Sequence, residues 1–126
     1  MKEKKHPGKT PAEIAEILGI DNVETHLFLC AGPDCCDPKT GAESWQRLKK
    51  KLKQVYPRLR EAGIYRTKVS CLRICEGGPI AVAYPQGRWF RGVTPDRVEE
   101  IVDYLRSGTV EPHPLEFKRH PLAAGR

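Results

Sequence analysis

Apolar residues recur along this chain with two different periods, and together they predict an α/β domain. Four runs read as strands: "THLFLCAG" (25–32), "IYRTKVSC" (64–71), "IAVAY" (80–84) and "RWFRGV" (88–93). The last two are joined by "PQG", where Gly87 suits the positive-φ position of a hairpin turn. Three segments repeat at helical spacing instead. "TPAEIAEILGI" (10–20) offers Thr10 as N-cap, Pro11 at the first helical position and Glu13 to complete a capping box, with Ile14 and Ile17 or Leu18 on its apolar face. Trp45, Leu48, Leu52 and Val55 form the apolar stripe of a second helix, with lysines and arginine opposite and Pro57 at its end. The clearest helix is "TPDRVEEIVDYLRSG" (94–108): Thr94 caps it, Pro95 opens it, Val98, Ile101, Val102 and Leu105 line one side, and Gly108 stops it. Between the first strand and the second helix, "GPDCCDPKTG" (32–41) reads as irregular loop.

The order is β–α–β followed by β–β–α. The first unit must be a right-handed crossover between parallel strands, whereas the second contains an antiparallel hairpin. A mixed four-stranded sheet with helices packed on it accommodates both, which is the thioredoxin-like plan. Residues 1–24 then form a basic leader and an appended helix, and 25–108 the domain proper. Residues 109–126 form an extended tail with three prolines and no periodicity, running over the surface or into a partner subunit.

Composition narrows the class. At 126 residues the chain is one domain, able to bury roughly two thirds of its unfolded surface, so a cofactor need not be its sole source of stability. No stretch has the length of a membrane span and the N-terminus has no apolar signal core, which predicts a cytoplasmic protein. The formal charge is +6, concentrated in the first nine residues and in "KKKLK" (49–53). That balance suits an acidic partner, and no helix-turn-helix, zinc-finger or RNP motif accompanies it to suggest nucleic acid. The four histidines, His6, His26, His113 and His120, form no recognisable triad, and no phosphate loop is present. Enzymatic turnover is therefore not expected, and the histidines read mostly as surface residues.

The chemistry lies in five cysteines: Cys30, the vicinal pair Cys35 and Cys36, and Cys71 with Cys75. In a reducing compartment such thiols read as metal ligands or redox groups rather than disulfides. In a β–α–β unit the segments after two parallel strands leave the same edge of the sheet. Cys30 and Cys71 end those strands, so the two thiol groups, some forty residues apart, converge in space. Four thiolates from two loops are the ligand set of an all-cysteine metal site. The C-x3-C of Cys71 and Cys75 lies at the loose end of zinc-knuckle spacing, and the gap from Cys30 to Cys35 or Cys36 lies at or beyond its limit. Wider, unequal loops suit a [2Fe–2S] cluster, whose irons each take two cysteines. Gly32, Gly77 and Gly78 allow close backbone approach there. A four-cysteine zinc module and a thiol-based redox sensor using Cys35 and Cys36 are the alternatives.

From about Thr25 to Gly108 the chain resembles the thioredoxin-like [2Fe–2S] ferredoxins, relatives of the small iron–sulfur subunit of respiratory complex I and of NAD-linked hydrogenases. The residues that carry the resemblance are "LFLC" (27–30), "CC" (35–36), "GAESWQRLKKKL" (41–52), "VSCLRICEGGPIAVAYPQGRWF" (69–90) and "VTPDRVEEIVDYL" (93–105). The resemblance implies a near-surface [2Fe–2S] cluster and one-electron transport. It implies Cys71 and Cys75 on one iron, with Cys30 and one of the vicinal pair on the other. The spacing of the complex I relatives points to Cys35, whereas counting back from "GAES" favours Cys36, the preferred assignment, with Cys35 as its alternate. The family includes dimers, and the tail is the candidate contact for a homodimer. Many ferredoxins are acidic. An oxidised cluster with its four thiolates carries −2, which would leave this chain near +4 and steer it to redox partners with an acidic docking face. Three further residues invite roles: Arg73 as a cation that raises the reduction potential or as a solvated side chain, Pro79 as a cis-proline, and Trp89 as a core or docking aromatic.

Overall fold

The computed structural model describes residues 6–122, so residues 1–5 of the basic leader and 123–126 of the tail lie outside the described residues. The elements run α1 (Pro11–Leu18), β1 (Thr25–Cys30), α2 (Pro38–Val55), β2 (Ile64–Val69), β3 (Ile80–Tyr84), β4 (Arg88–Phe90), α3 (Val98–Ser107) and β5 (Glu116–Arg119). One sheet has the order β2–β1–β3–β4–β5. β1 pairs parallel to β2 across the α2 crossover, and every other pairing is antiparallel. The β–α–β and β–β–α plan is therefore present.

The sheet has five strands rather than four. The tail expected to run over the surface or into a second subunit folds back as β5 on the edge of β4. Arg88 reaches the Thr109 carbonyl, and the His113 Nε2 stands 3.0 Å from Glu100 on α3. The Leu115 amide donates to His113 Nδ1, which leaves Nε2–H to donate to Glu100. His113 is thus a buried tie between tail and helix, not a surface residue.

Two helix boundaries also differ from the sequence reading. α2 begins at Pro38, inside the stretch read as loop, because Asp37 caps it by accepting from the Lys39 and Thr40 amides. α3 begins at Val98, because Thr94 closes a turn of its own: its carbonyl accepts from the Arg97 and Val98 amides and its hydroxyl is spent on Asp96. At α1 the capping box of Thr10 and Glu13 is formed in full.

Alternation along the strands divides the sheet into two unlike faces. Leu27 and Leu29 of β1, with Ile64, Ala81, Ala83 and Phe90, face the helices and pack against Leu48, Leu52, Val98, Ile101 and Val102. Arg47–Glu99 and Lys51–Asp103 ion pairs, each at 3.1 Å, join α2 to α3 at the rim of this core. The other face carries His26, Phe28, Tyr65, Tyr84 and Trp89, all half-buried. Among the described residues no helix is long and apolar enough to cross a membrane.

Candidate metal centre

Strand register builds the site. Cys30 closes β1 opposite Val69 on one side and Ile80 on the other. The chain leaving Val69 reaches Cys71 two residues later, and the chain arriving at Ile80 comes from Cys75 through Gly77 and Gly78. Both ends of this single β2–β3 loop therefore lie at the end of β1, as topology requires. The second thiol loop is the segment from Cys30 to the start of α2, which carries Cys35 and Cys36.

Backbone contacts lock these loops together. A Cβ on Gly32 would overlap the Ser70 carbonyl oxygen, one residue before Cys71. A Cβ on Gly78 would stand 2.5 Å from the Cys35 sulfur and closer still to its carbonyl oxygen. Only glycine leaves room for either crossing. The C-x3-C turn is wound tightly, with Arg73, Cys75 and Gly77 all at positive φ. That winding aims the Arg73 amide at Cys71 Sγ, 3.2 Å away. The Gly78–Pro79 bond is cis.

The thiols themselves differ in exposure. Cys30 and Cys35 are buried against Ile80, Cys36 is half-buried beside them, and Cys71 and Cys75 are exposed. Burial, reinforced by a hydrogen bond with Cys30, pushes the Cys35 thiol up to about 12 although the Ile80 amide opposes it. Burial also raises Cys36, with the Cys30 and Asp37 charges adding and the Cys35 and Gly41 hydrogen bonds opposing. Cys75 is raised first by its hydrogen bond with Cys71, then by desolvation and by the charges of Cys71, Asp34 and Cys30. Crowded thiolates repel one another, and a cationic metal centre among them removes that repulsion. Among the described residues no three His, Cys, Asp or Glu side chains converge on the position of a single ion. The donor set, soft, all-thiol and supplied by two loops with the Arg73 amide aimed at Cys71 Sγ, suits a cluster with two cysteines per iron.

Two curated relatives match most of this chain. A 2Fe–2S ferredoxin of Clostridium pasteurianum is 31% identical over 97 residues, covering 71% of this chain and 92% of the relative. A second 2Fe–2S ferredoxin, from Aquifex aeolicus, is 31% identical over 91 residues, covering 66% and 80%. The chain belongs to the thioredoxin-like [2Fe–2S] ferredoxins. The solved thioredoxin-like [2Fe–2S] ferredoxin from Aquifex aeolicus superposes on it with a TM-score of 0.64 and 29% identity, covering 81% of this chain and 97% of that one. No protein-family model matches the chain.

Within this ferredoxin fold the site has one feature that its sequence pattern did not single out, Ile74, and one residue that it did, Trp89, now placed. Ile74, between Cys71 and Cys75, is 39% exposed, so the exposed thiol loop carries an apolar tip beside Arg73. Trp89 packs against the Cys30, Cys35 and Ile80 cluster on the helix-free face of the sheet. It continues edge-on to Tyr84, and Tyr84 to Phe28, each at 6.5 Å. Phe28 in turn stacks on His26 at 4.0 Å. His26, half-buried and 2.7 Å from the Thr67 hydroxyl, has its pKa lowered by that burial. The signal was present as ring positions His26 and Phe28 on β1, Tyr84 on β3 and Trp89 on β4, but one strand's alternation does not say which face lacks helices.

Proposed function

We propose that this ferredoxin is a cytoplasmic one-electron carrier whose [2Fe–2S] cluster is held by Cys30 and Cys36 on one iron and by Cys71 and Cys75 on the other. The observation that carries the assignment is the convergence of both thiol loops on the end of β1, enforced by the glycine crossings at Ser70 and Cys35. When bound, the cluster supplies a single Fe(III)/Fe(II) couple; the chain's own residues hold it, shield it and present it. Cys30 anchors the buried side, and the exposed Cys71 and Cys75 form the side from which an electron leaves. The Arg73 amide stabilises negative charge on Cys71 by hydrogen bonding.

Cys36 is favoured over Cys35 by its position immediately before the Asp37 cap of α2, where its sulfur packs so closely on Gly41 that a Cβ there would lie 3.0 Å away. Cys35, wedged under Gly78, is the alternate. All the thiols come from one chain, so the assignment needs no second copy. The redox partner docks with an acidic face: the chain carries +6, and Arg73 and Arg91 flank the thiol loop, both exposed. Protein purified under anaerobic conditions should contain two irons and two acid-labile sulfides and show visible absorption that bleaches with dithionite. Colourless, zinc-containing protein would instead establish the four-cysteine zinc module, and metal-free protein with titratable thiols the redox sensor.

A further inference from the structure

Away from the thiol loops, α1 stands over a crevice rather than on a packed surface. Its apolar face is real, yet none of its residues is fully buried. Its neighbours are the short turns at Ile20–Asn22 and Leu59–Glu61, where the Asn22 side chain donates to the Arg60 carbonyl at 2.5 Å. Fixed at that end, α1 leaves a cavity of about 620 Å³ between Ile14 and Leu18 on one wall and Trp45 and Leu52 of α2, with Tyr56 just past its end, on the other. That volume lies in the range of about 300–1,000 Å³ usual for small-molecule sites.

Charge on the lining is one-sided. Lys53 and Arg66 both line the cavity, His6 stands among the lining residues, and no acid does. Among the described residues neither Lys53 nor Arg66 has an acidic partner within salt-bridge distance. Arg66 projects from β2 on the helix-facing side, opposite Leu27. Its guanidinium lies 5.6 Å from the centre of the Trp45 ring, and its Nε is buried with no hydrogen-bond partner. One guanidinium N–H is thus buried and unanswered at a cost, while Arg66 as a whole is only half-buried and lines the crevice with no acid to meet its charge.

We propose that this crevice binds an amphipathic organic anion, a single carboxylate or sulfonate head on an aliphatic or aromatic body. The head accepts from Arg66, with Lys53 supplying further positive charge, and the body lies between α1 and the wall formed by Trp45 and Tyr56. A guanidinium recognises a carboxylate through parallel N–H donors, and the apolar walls take the rest of the molecule. The site is separate from the cysteines, which lie beyond the far end of β2, so its occupancy does not depend on the ligand set proposed above.

The test is calorimetric titration of the holoprotein with decanoate and with 1-decanol, followed in parallel by tryptophan fluorescence. One decanoate should bind per chain, more weakly as salt rises, and at least about tenfold more tightly than decanol, the discrimination expected of one charge-assisted contact. Arg66→Met, which keeps the stem and removes the charge, should abolish that preference while leaving decanol binding and the visible spectrum unchanged. Lys53→Met should reduce the preference in part. Equal affinities for acid and alcohol, absence of saturable binding, or an Arg66→Met variant that keeps the preference would each overturn the proposal.

Discussion

Gly78 and Cys35 touch backbone to backbone: a methyl group on Gly78 would stand 2.5 Å from the Cys35 sulfur. This contact holds the C-x3-C loop against the segment that leads into α2. The obstruction includes main chain, so no rotamer change relieves it. Gly78→Ala should therefore force the two loops apart, at a cost of about 1–3 kcal/mol typical of overpacking. The larger effect should fall on the cluster, with iron per chain well below that of wild type purified in parallel. Full iron content and an unchanged visible spectrum would show that the loops need not be this close.

The vicinal cysteines separate by substitution. With Cys36 as ligand, Cys36→Ser should shift the visible spectrum and weaken cluster retention, because a serine oxygen replaces one thiolate on iron. Cys35→Ser should leave the spectrum close to that of wild type and cost mainly stability, since a hydroxyl replaces a buried thiol. The reverse pattern would assign Cys35. If each single variant kept a cluster and only the double variant lost it, either thiol could serve.

How much of this was legible in the sequence follows from what each element depends on. β1 is dense in leucine and aromatic residues, β2 alternates, and a helix lies between them; the crossover rule then makes the two strands parallel, so the convergence of Cys30 with Cys71 could be read from the sequence. β5 could not: Glu116, Phe117, Lys118 and Arg119 have no apolar alternation, and the strand exists because β4 offers an open edge and His113 ties the tail to α3. The early start of α2 was obscured by the turn-forming residues around it, although Asp37 and Pro38 are good cap and first-turn residues. The choice between Cys35 and Cys36 falls in that same segment, where no period constrains which side chain faces inward.

The pinning of β5 carries a pH dependence. Burial pushes the Glu116 carboxyl up, but hydrogen bonds from Arg119, the His113 amide and Tyr104 outweigh it and hold the pKa below the ordinary range. Glu100 is also lowered, first by Arg97, with burial opposing and His113 assisting. A carboxylate with a depressed folded-state pKa contributes stability that is complete above the unfolded value of about 4.3 and lost as pH falls through the folded one. Wild type should thus lose more melting temperature below about pH 4.3 than Glu116→Gln does. At neutral pH the variant should be less stable by about 1 kcal/mol, roughly 4 °C. Comparing the two proteins at each pH cancels acid damage to the cluster, which is common to both. Parallel melting curves across that range would remove Glu116 as the source.

Arg73 lies where the thiol loop meets the proposed docking face. Its amide donates to Cys71 while its exposed side chain stands next to Ile74 on the thiol loop. Reduction adds one negative charge to the centre, so a nearby cation favours the reduced form and raises the midpoint potential. Arg73→Glu should lower the potential by a few tens of millivolts, the scale of an exposed charge reversal in a water-like dielectric. It should also slow electron transfer to a reductase with an acidic docking face at low salt, where long-range attraction sets the encounter rate. Raising the ionic strength should narrow the difference in rate between variant and wild type, because screening removes the attraction. The shift in potential should persist to a greater degree, since it arises at shorter range. An unchanged potential would make Arg73 a solvated side chain, and rates insensitive to salt in wild type would rule out an acidic docking face.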